Sequence, residues 1–265
     1  MNSRAQIVAS IGPASEKVEI LKAMIEKQMD VARINFAWSS LEDGAHRIDT
    51  IRALAKEAGR VIPIIADIPG RRVQGSNGHS YDSSGDLSLT PKDEEVLRLC
   101  ADKQVEYVAL SFVGNAEDIM RCREAITKNN GSQKIIAKIE RKAAVDAIDS
   151  ITAAADAIMV ARGDLGKEVP LEEIPFVQKL IIKKANAAHK PVITATQMIF
   201  SMIEHPEPTR AEVTDVEEAI QDGSDAVMLS DETTEGRFPV EAVAMMERII
   251  LATERHSREH SLHLL

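Results

Sequence analysis

Short runs of apolar, mostly β-branched residues alternate along the chain with longer stretches in which apolar residues recur every three or four positions among charges. A run of the first kind suits a strand covered on both faces. A stretch of the second kind suits a helix packed on it, so the alternation predicts repeated βα units and a parallel sheet. The strand-like runs occupy residues 5–11, 31–35, 61–67, 106–112, 134–139, 156–161, 191–196 and 225–229, and helical patterns are clearest over 16–27, 170–188 and 239–254. Eight strands in 265 residues predict a single α/β domain, a closed (β/α)8 or TIM barrel over residues 1–255, with a doubly wound open sheet as the alternative. Residues 74–87 carry Gly, Ser, Asn and Asp with almost no apolar content, which predicts a loop, and residues 256–265 predict a tail or fraying helix end. No internal repeat is legible beyond the βα alternation itself.

Composition narrows the partners. A formal net charge of -10 sets the summed field against nucleic acid and anionic membrane surfaces, and no stretch reaches the roughly 20 apolar residues of a membrane span. Cys100 and Cys122 lie in helically patterned segments without metal-ligand spacing, which argues against a zinc site and a disulfide framework. The first residues lack the apolar core and cleavage site of a secretory signal, so a cytoplasmic protein acting on a small molecule is the expectation.

In such barrels the active site lies at the C-terminal ends of the strands, which makes polar residues there the candidates. Around the run 134–139, period-two alternation puts Ile136, Lys138 and Glu140 on one face. A Lys and a Glu turned inward together cost free energy unless something charged meets them, which points to a ligand or metal; an internal Lys138–Glu140 ion pair is the alternative. The next run leads from Ala161 into Arg162, Gly163 and Asp164, where glycine permits close backbone approach and exposed N–H groups can hold an anion. A short helix starting at Asp164 would add its dipole, with Asp164 as a simple N-cap the alternative. Glu140 and Asp164 lie on consecutive strands, so their carboxylates can share one hard cation such as magnesium, leaving positions for substrate oxygens and water. Arg33 and Asn35 share a face of the second strand, where the guanidinium can take a phosphate or carboxylate bidentately. Asp67 ends the third run and Thr196 the seventh. A surface ion pair for Arg33 and a cap for Thr196 are the plain alternatives.

These residues fall in ordered stretches that closely resemble the pyruvate kinase family over nearly the whole chain: Ser10-Ile-Gly-Pro-Ala-Ser, Val31-Ala-Arg-Ile-Asn-Phe, Val108-Ala-Leu-Ser-Phe-Val, Ile136-Ala-Lys-Ile-Glu, Met159-Val-Ala-Arg-Gly-Asp-Leu-Gly, Thr194-Ala-Thr-Gln-Met, Pro208-Thr-Arg-Ala-Glu and Val227-Met-Leu-Ser-Asp-Glu-Thr. The resemblance implies a barrel in which Lys138 supports proton and phosphoryl transfer, Glu140 and Asp164 hold magnesium or manganese, and Arg33 contacts the substrate phosphate. It also implies that Thr196 and the backbone of Ala161, Arg162, Gly163 and Asp164 hold the substrate carboxylate. Asn35, Asp67 and Arg72 complete the candidate substrate-binding set.

The departures are as specific as the matches. Family members carry a lid domain inserted after the third strand and a further C-terminal domain, whereas here residues 74–89 stand in place of the lid and the chain ends after the eighth helix. Without a lid the phosphoryl donor is poorly held and the transferring group is open to water. The family's Asn-Phe-Ser-His-Gly is Asn35-Phe-Ala-Trp-Ser here, so Ala37 and Trp38 replace a potassium-binding hydroxyl and a His near the nucleotide. Gln74 stands where the family has an active-site Arg, and Arg72 falls where some members carry Lys, a fixed charge in the place of potassium. Ser-Gly-Glu-Thr becomes Ser230-Asp-Glu-Thr. The magnesium and enolpyruvate half of the site is intact, while potassium and nucleotide are in question.

Three functions are therefore weighed. One is a magnesium-dependent transferase of phosphoenolpyruvate and pyruvate working as the glycolytic kinase does. Another is a metal-dependent pyruvate-enolate lyase, aldolase or oxaloacetate decarboxylase. The third is a non-catalytic phosphoenolpyruvate-binding or regulatory protein. Residues 170–188 and 204–212 resemble the family's barrel-to-barrel contact, which implies a homodimer.

Overall fold

The computed structural model describes residues 3–75, 78–81 and 89–256. Its strands are β1 (Gln6–Ser10), β2 (Val31–Asn35), β3 (Ile64–Ile68), β4 (Arg72–Gly75), β5 (Gly78–Tyr81), β6 (Tyr107–Leu110), β7 (Lys134–Ile139), β8 (Ala157–Ala161), β9 (Val192–Ala195) and β10 (Ala226–Leu229). Its helices are α1 (Val18–Glu26), α2 (Leu41–Glu57), α3 (Pro91–Asp102), α4 (Ala116–Lys128), α5 (Lys142–Asp146), α6 (Ile148–Ala154), α7 (Arg162–Leu165), α8 (Ile174–Ala187), α9 (Arg210–Gln221), α10 (Asp231–Thr234) and α11 (Pro239–His256).

Eight of the strands close a parallel barrel in the order β1-β10-β9-β8-β7-β6-β3-β2, which settles the choice between barrel and open sheet. Each predicted run overlaps one barrel strand, the third strand reaching one residue past its run, to Ile68. The third starts late, at Ile64, because Pro63 has no N–H to give a ladder. Instead of a loop throughout, residues 74–87 begin within an antiparallel hairpin of β4 and β5, in which Arg72 faces Tyr81 and Gly75 faces Gly78. The rest of that segment, residues 82–88, and the predicted tail at 257–265 lie outside the described residues. The last helix runs on to His256.

Alternate residues of each strand face two different cores. Outward positions pack with the helices in one large apolar cluster that includes Ile7, Ala32, Ile64 and Ile158. Inward positions, among them Val8, Val31, Ile65, Ile136, Met159 and Met228, form a separate plug inside the barrel. The barrel is therefore filled rather than hollow, as close packing demands. The pairing of β1 with β10 closes the ring, and at the floor the backbone N–H groups of Arg4 and Ala5 donate to Glu254 on α11.

The floor also holds a repeat that the alternation alone conceals. An acid directly before every second barrel strand accepts a bond from an N–H at or near the start of the strand before it. Ile7 donates to Asp30, Ile64 to Glu106, Ile135 to Asp156 and Val192 to Asp225, at 2.8–2.9 Å. The structural unit is therefore a pair of βα units, used four times. At Asp30, Glu106 and Asp156 an arginine, Arg60, Arg52 or Arg123, pairs with the same carboxylate.

Candidate active site

Following the inward parity upward through the plug leads from apolar to charged residues. Above Val8 comes Ser10, above Val31 comes Arg33, above Ile65 comes Asp67, above Ala109 comes Ser111, and above Ile136 come Lys138 and Glu140. These strands are neighbours in the order β1, β2, β3, β6, β7, so their side chains meet at one rim. Arg33 Nη1 donates to Ser10 Oγ at 2.7 Å and its Nε donates to Asp67 Oδ2 at 2.8 Å. The other Asp67 oxygen accepts from Lys138 Nζ at 3.1 Å and from Ser111 at 3.2 Å. Lys138 Nζ also reaches Ser111 Oγ at 2.9 Å and Glu140 Oε1 at 2.8 Å, and Glu140 Oε2 accepts the backbone N–H of Phe112 at 2.7 Å.

The internal Lys138–Glu140 pair weighed from the sequence is thus formed, as one link of a longer network. Arg33 is not in a surface ion pair: it is 7% exposed and its partner Asp67 is 1% exposed. Burial pushes the Asp67 carboxyl up, but the charges of Lys138 and Arg33 beside it outweigh that and hold it below the usual carboxylate range. Glu140 goes the other way. Burial raises its carboxyl, the carboxylates of Asp164 and Asp67 raise it further, and Lys138 offsets only part of this.

Asp164 does not begin a helix. The short helix α7 starts at Arg162 with Ala161 in the N-cap position, so Asp164 lies inside it, paired with Lys167 at 2.7 Å. Its charge bears on Glu140 across the β7–β8 boundary. Among the described residues no group of three or more His, Cys, Asp or Glu is arranged to hold a metal ion. The Glu140 and Asp164 carboxylates are hard oxygen donors that repel one another across the β7–β8 boundary, each paired with a lysine, Lys138 and Lys167. Such a set fits a cation that takes its remaining ligands from substrate oxygens and water.

Thr196 reaches the rim by a route that alternation does not foresee. On a regular strand it would share the outward face of Thr194, whose hydroxyl bonds Ser224. The strand instead stops at Ala195, and Thr196 and Gln197 turn left-handed with φ of 70° and 54°. The Thr196 hydroxyl then accepts the Gly163 N–H at 2.8 Å and donates to the Ala195 carbonyl at 2.6 Å. It therefore acts as a cap for Gly163, which is the plain alternative and leaves that N–H already occupied.

Other candidates lie further from the network. The Asn35 side chain accepts the Ala37 N–H and so shapes the turn after β2. The Arg72 guanidinium stacks 5.6 Å from the Phe112 ring centre, at the edge of the network. Arg162 turns its side chain away from the mouth, toward Asp215 and the Thr196 carbonyl. Sequence reasoning passed over Ser10 and Ser111, although both share the inward parity of residues it had picked. It also passed over Glu232, which is buried beneath the rim and accepts the Ile199 and Ser230 N–H groups.

Residues 2–87 and 85–243 match the family model described as pyruvate kinase, barrel domain. Proteins named pyruvate kinase from Sporosarcina psychrophila, Thermococcus litoralis and Geobacillus stearothermophilus are 39%, 37% and 37% identical to this chain, over 95%, 96% and 96% of it. The chain spans 57%, 70% and 58% of those relatives. The first alignment runs over 334 positions, more than the 265 residues of the chain, so the relative carries residues inside the matched span that this chain lacks. The family match itself divides at residues 85–87. By its eight-stranded parallel barrel and by these matches, the chain belongs to the pyruvate kinase family, of which it contains the barrel domain.

Proposed function

We propose that the chain is a magnesium-dependent enzyme of phosphoenolpyruvate and pyruvate. The observation that carries this reading is the buried network of Arg33, Asp67, Lys138 and Glu140 at the strand C-termini, beside Asp164. Glu140 and Asp164 would hold the metal, for which manganese could substitute. A divalent ion bound there would supply Lewis acidity, drawing charge from the oxygens of the acid.

The protein groups do the rest. Arg33, with two N–H groups beyond those given to Ser10 and Asp67, faces the phosphate. Asp67 holds both Arg33 and Lys138 in place and stays ionised to do so. Lys138 presents its ammonium to the transferring group or to the enolpyruvate carbon, where it neutralises charge and hands on a proton. Thr196, with the backbone of Ala161 to Asp164, receives the carboxylate; the Thr196 hydroxyl gives up the Gly163 N–H when that oxygen arrives. Asn35 shapes the turn beside the phosphate, and Arg72 supplies a fixed charge where potassium would otherwise sit.

In kinase chemistry the phosphoryl group passes between phosphoenolpyruvate and ADP. A lyase or decarboxylase reading is favoured by one observation, the residues missing from the matched span near 85–87, where a lid would otherwise exclude water from the transfer. The apolar residues Leu171, Phe176 and Leu180 beside and on α8 are exposed, which supports a homodimer through that face. The buried free thiols of Cys100 and Cys122 suit a cytoplasmic location.

Pyruvate formation from phosphoenolpyruvate and magnesium, with and without ADP and with ATP followed in parallel, tests the reading. Turnover that requires ADP and yields matching ATP supports the kinase. Pyruvate and inorganic phosphate formed without ADP mean that water takes the phosphoryl group and overturn the kinase; activity only on oxaloacetate or 4-hydroxy-2-oxo acids transfers the site to lyase chemistry. No turnover and no binding of phosphoenolpyruvate overturns both.

A further inference from the structure

Thr196 and Gln197 are consecutive non-glycine residues in left-handed backbone, and Thr196 is β-branched, for which this region is strongly disfavoured. Such a pair persists only where its surroundings enforce it. The enforcing group is visible. The Arg162 guanidinium, 9% exposed, directs Nη2 at the Thr196 carbonyl (2.7 Å), the Gln197 carbonyl (3.1 Å) and the Met198 sulfur (3.0 Å), and its Nε at the Thr196 carbonyl again (3.2 Å). Its far edge is held by Asp215 on α9 at 2.7 Å and by Gln178 on α8 at 3.3 Å. At the other end of the turn, the buried Glu232 accepts the Ile199 N–H.

We propose that Arg162 is a positioning residue: it clamps the Thr196–Gln197 turn through the two carbonyls and thereby sets the Thr196 hydroxyl over Gly163, with Asp215 orienting the clamp. Its side chain points away from the barrel mouth and does not touch substrate. A lysine at this position offers one cationic centre and no planar fork, so it cannot grip two successive carbonyls while also meeting Asp215. The consequence for substrate binding rests on the function proposed above, whereas the clamp itself does not.

Two measurements separate these. Hydrogen exchange is followed over residues 196–199 in the unaltered chain and in Arg162→Met, Arg162→Lys and Asp215→Asn. Exchange there rises about tenfold or more in Arg162→Met and by less in the other two, with the barrel strands unchanged. Equal exchange in a folded Arg162→Met overturns the clamp, and if that variant does not fold, equal exchange in both milder variants does so. Binding of phosphoenolpyruvate with magnesium is then measured in a double-mutant cycle. Asp215→Asn weakens it about threefold to tenfold when Thr196 is present and less than about twofold in a Thr196→Val background. Equal factors in both backgrounds overturn the action through Thr196. If the unaltered chain does not bind phosphoenolpyruvate, the proposed function falls and the exchange result alone decides the clamp.

Discussion

Arg33, Asp67, Lys138 and Glu140 occupy the top of the barrel interior with almost no contact with water. Charges taken out of water are retained only when their partners compensate, and here each carboxylate oxygen has a partner. The balance is uneven: Asp67 is held ionised by two cations, while Glu140 is pushed toward neutrality by burial and by its acidic neighbours. A cation shared by Glu140 and Asp164 would relieve that load, which gives those two residues separate tests. Glu140→Gln and Asp164→Asn each keep the shape of the side chain and remove one ligand charge. Metal-dependent turnover is expected to fall by at least about a hundredfold in each. The thermal midpoint of Glu140→Gln is expected to drop as well, because the amide keeps one acceptor oxygen for two buried donors, Lys138 and the Phe112 N–H. Unchanged turnover in either variant, followed as pyruvate formation, would sink the assignment of both ligands.

Helix ends and strand starts carry their own stability. The capping box of α9 is the most heavily bonded: Glu212 accepts from the backbone and hydroxyl groups of both Thr209 and Ser201. Burial pushes its carboxyl up, and those four bonds outweigh this and hold it below the ordinary value. A depressed folded pKa means that the contribution is complete above the unfolded value near 4.5 and is lost as pH falls through the folded one. Glu212→Gln is expected to cost about 1 kcal/mol at neutral pH and less below pH ~4, as read by denaturant titration across pH. On the floor, the acids before alternate strands make a graded series. Asp225 is 1% exposed and Asp156 has 31% of its side chain exposed. Asp225→Ala leaves the buried Val192 N–H without its acceptor and is expected to cost about 1–3 kcal/mol. Asp156→Ala, where water can take over, is expected to cost clearly less. Equal losses in the two would show that the floor bonds are not what the residues contribute. The capping box Thr209-x-x-Glu212 was readable as a sequence pattern, and so in principle was the acid before alternate strands. The pairwise repeat escaped notice because it joins residues about twenty to forty apart and shows only when the strands lie side by side.

On the scale of the whole molecule the exposed face of α8 stands out. Phe176 and Leu180 are one helical turn apart and are 68% and 41% exposed, and Leu171 just before the helix is 82% exposed. If this face joins two barrels, light scattering will give twice the chain mass for the unaltered protein and the single mass for the pair Phe176→Glu and Leu180→Lys. A monomeric unaltered protein refutes the dimer. Gln178, which helps hold Arg162, sits on α8 itself, so the helix that offers this face also steadies the Thr196 turn.

The eight strands, their alternation with helices and the inward face of Arg33, Lys138 and Glu140 were determined by the sequence alone. Period-two and period-3.6 patterns are local, and burial on both sides of a parallel strand leaves few other ways to satisfy them. Closure rather than an open sheet, the joining of Ser10, Ser111 and Asp67 into the Lys138 network, and the hairpin at β4 and β5 depended on which strands became neighbours. The position of Thr196 was decided by tertiary structure most completely of all. Its parity points outward, yet its backbone turns left-handed at the rim, with its carbonyl held by buried Arg162 of α7 and the Ile199 N–H beyond the turn held by buried Glu232 of α10, groups remote from it in sequence.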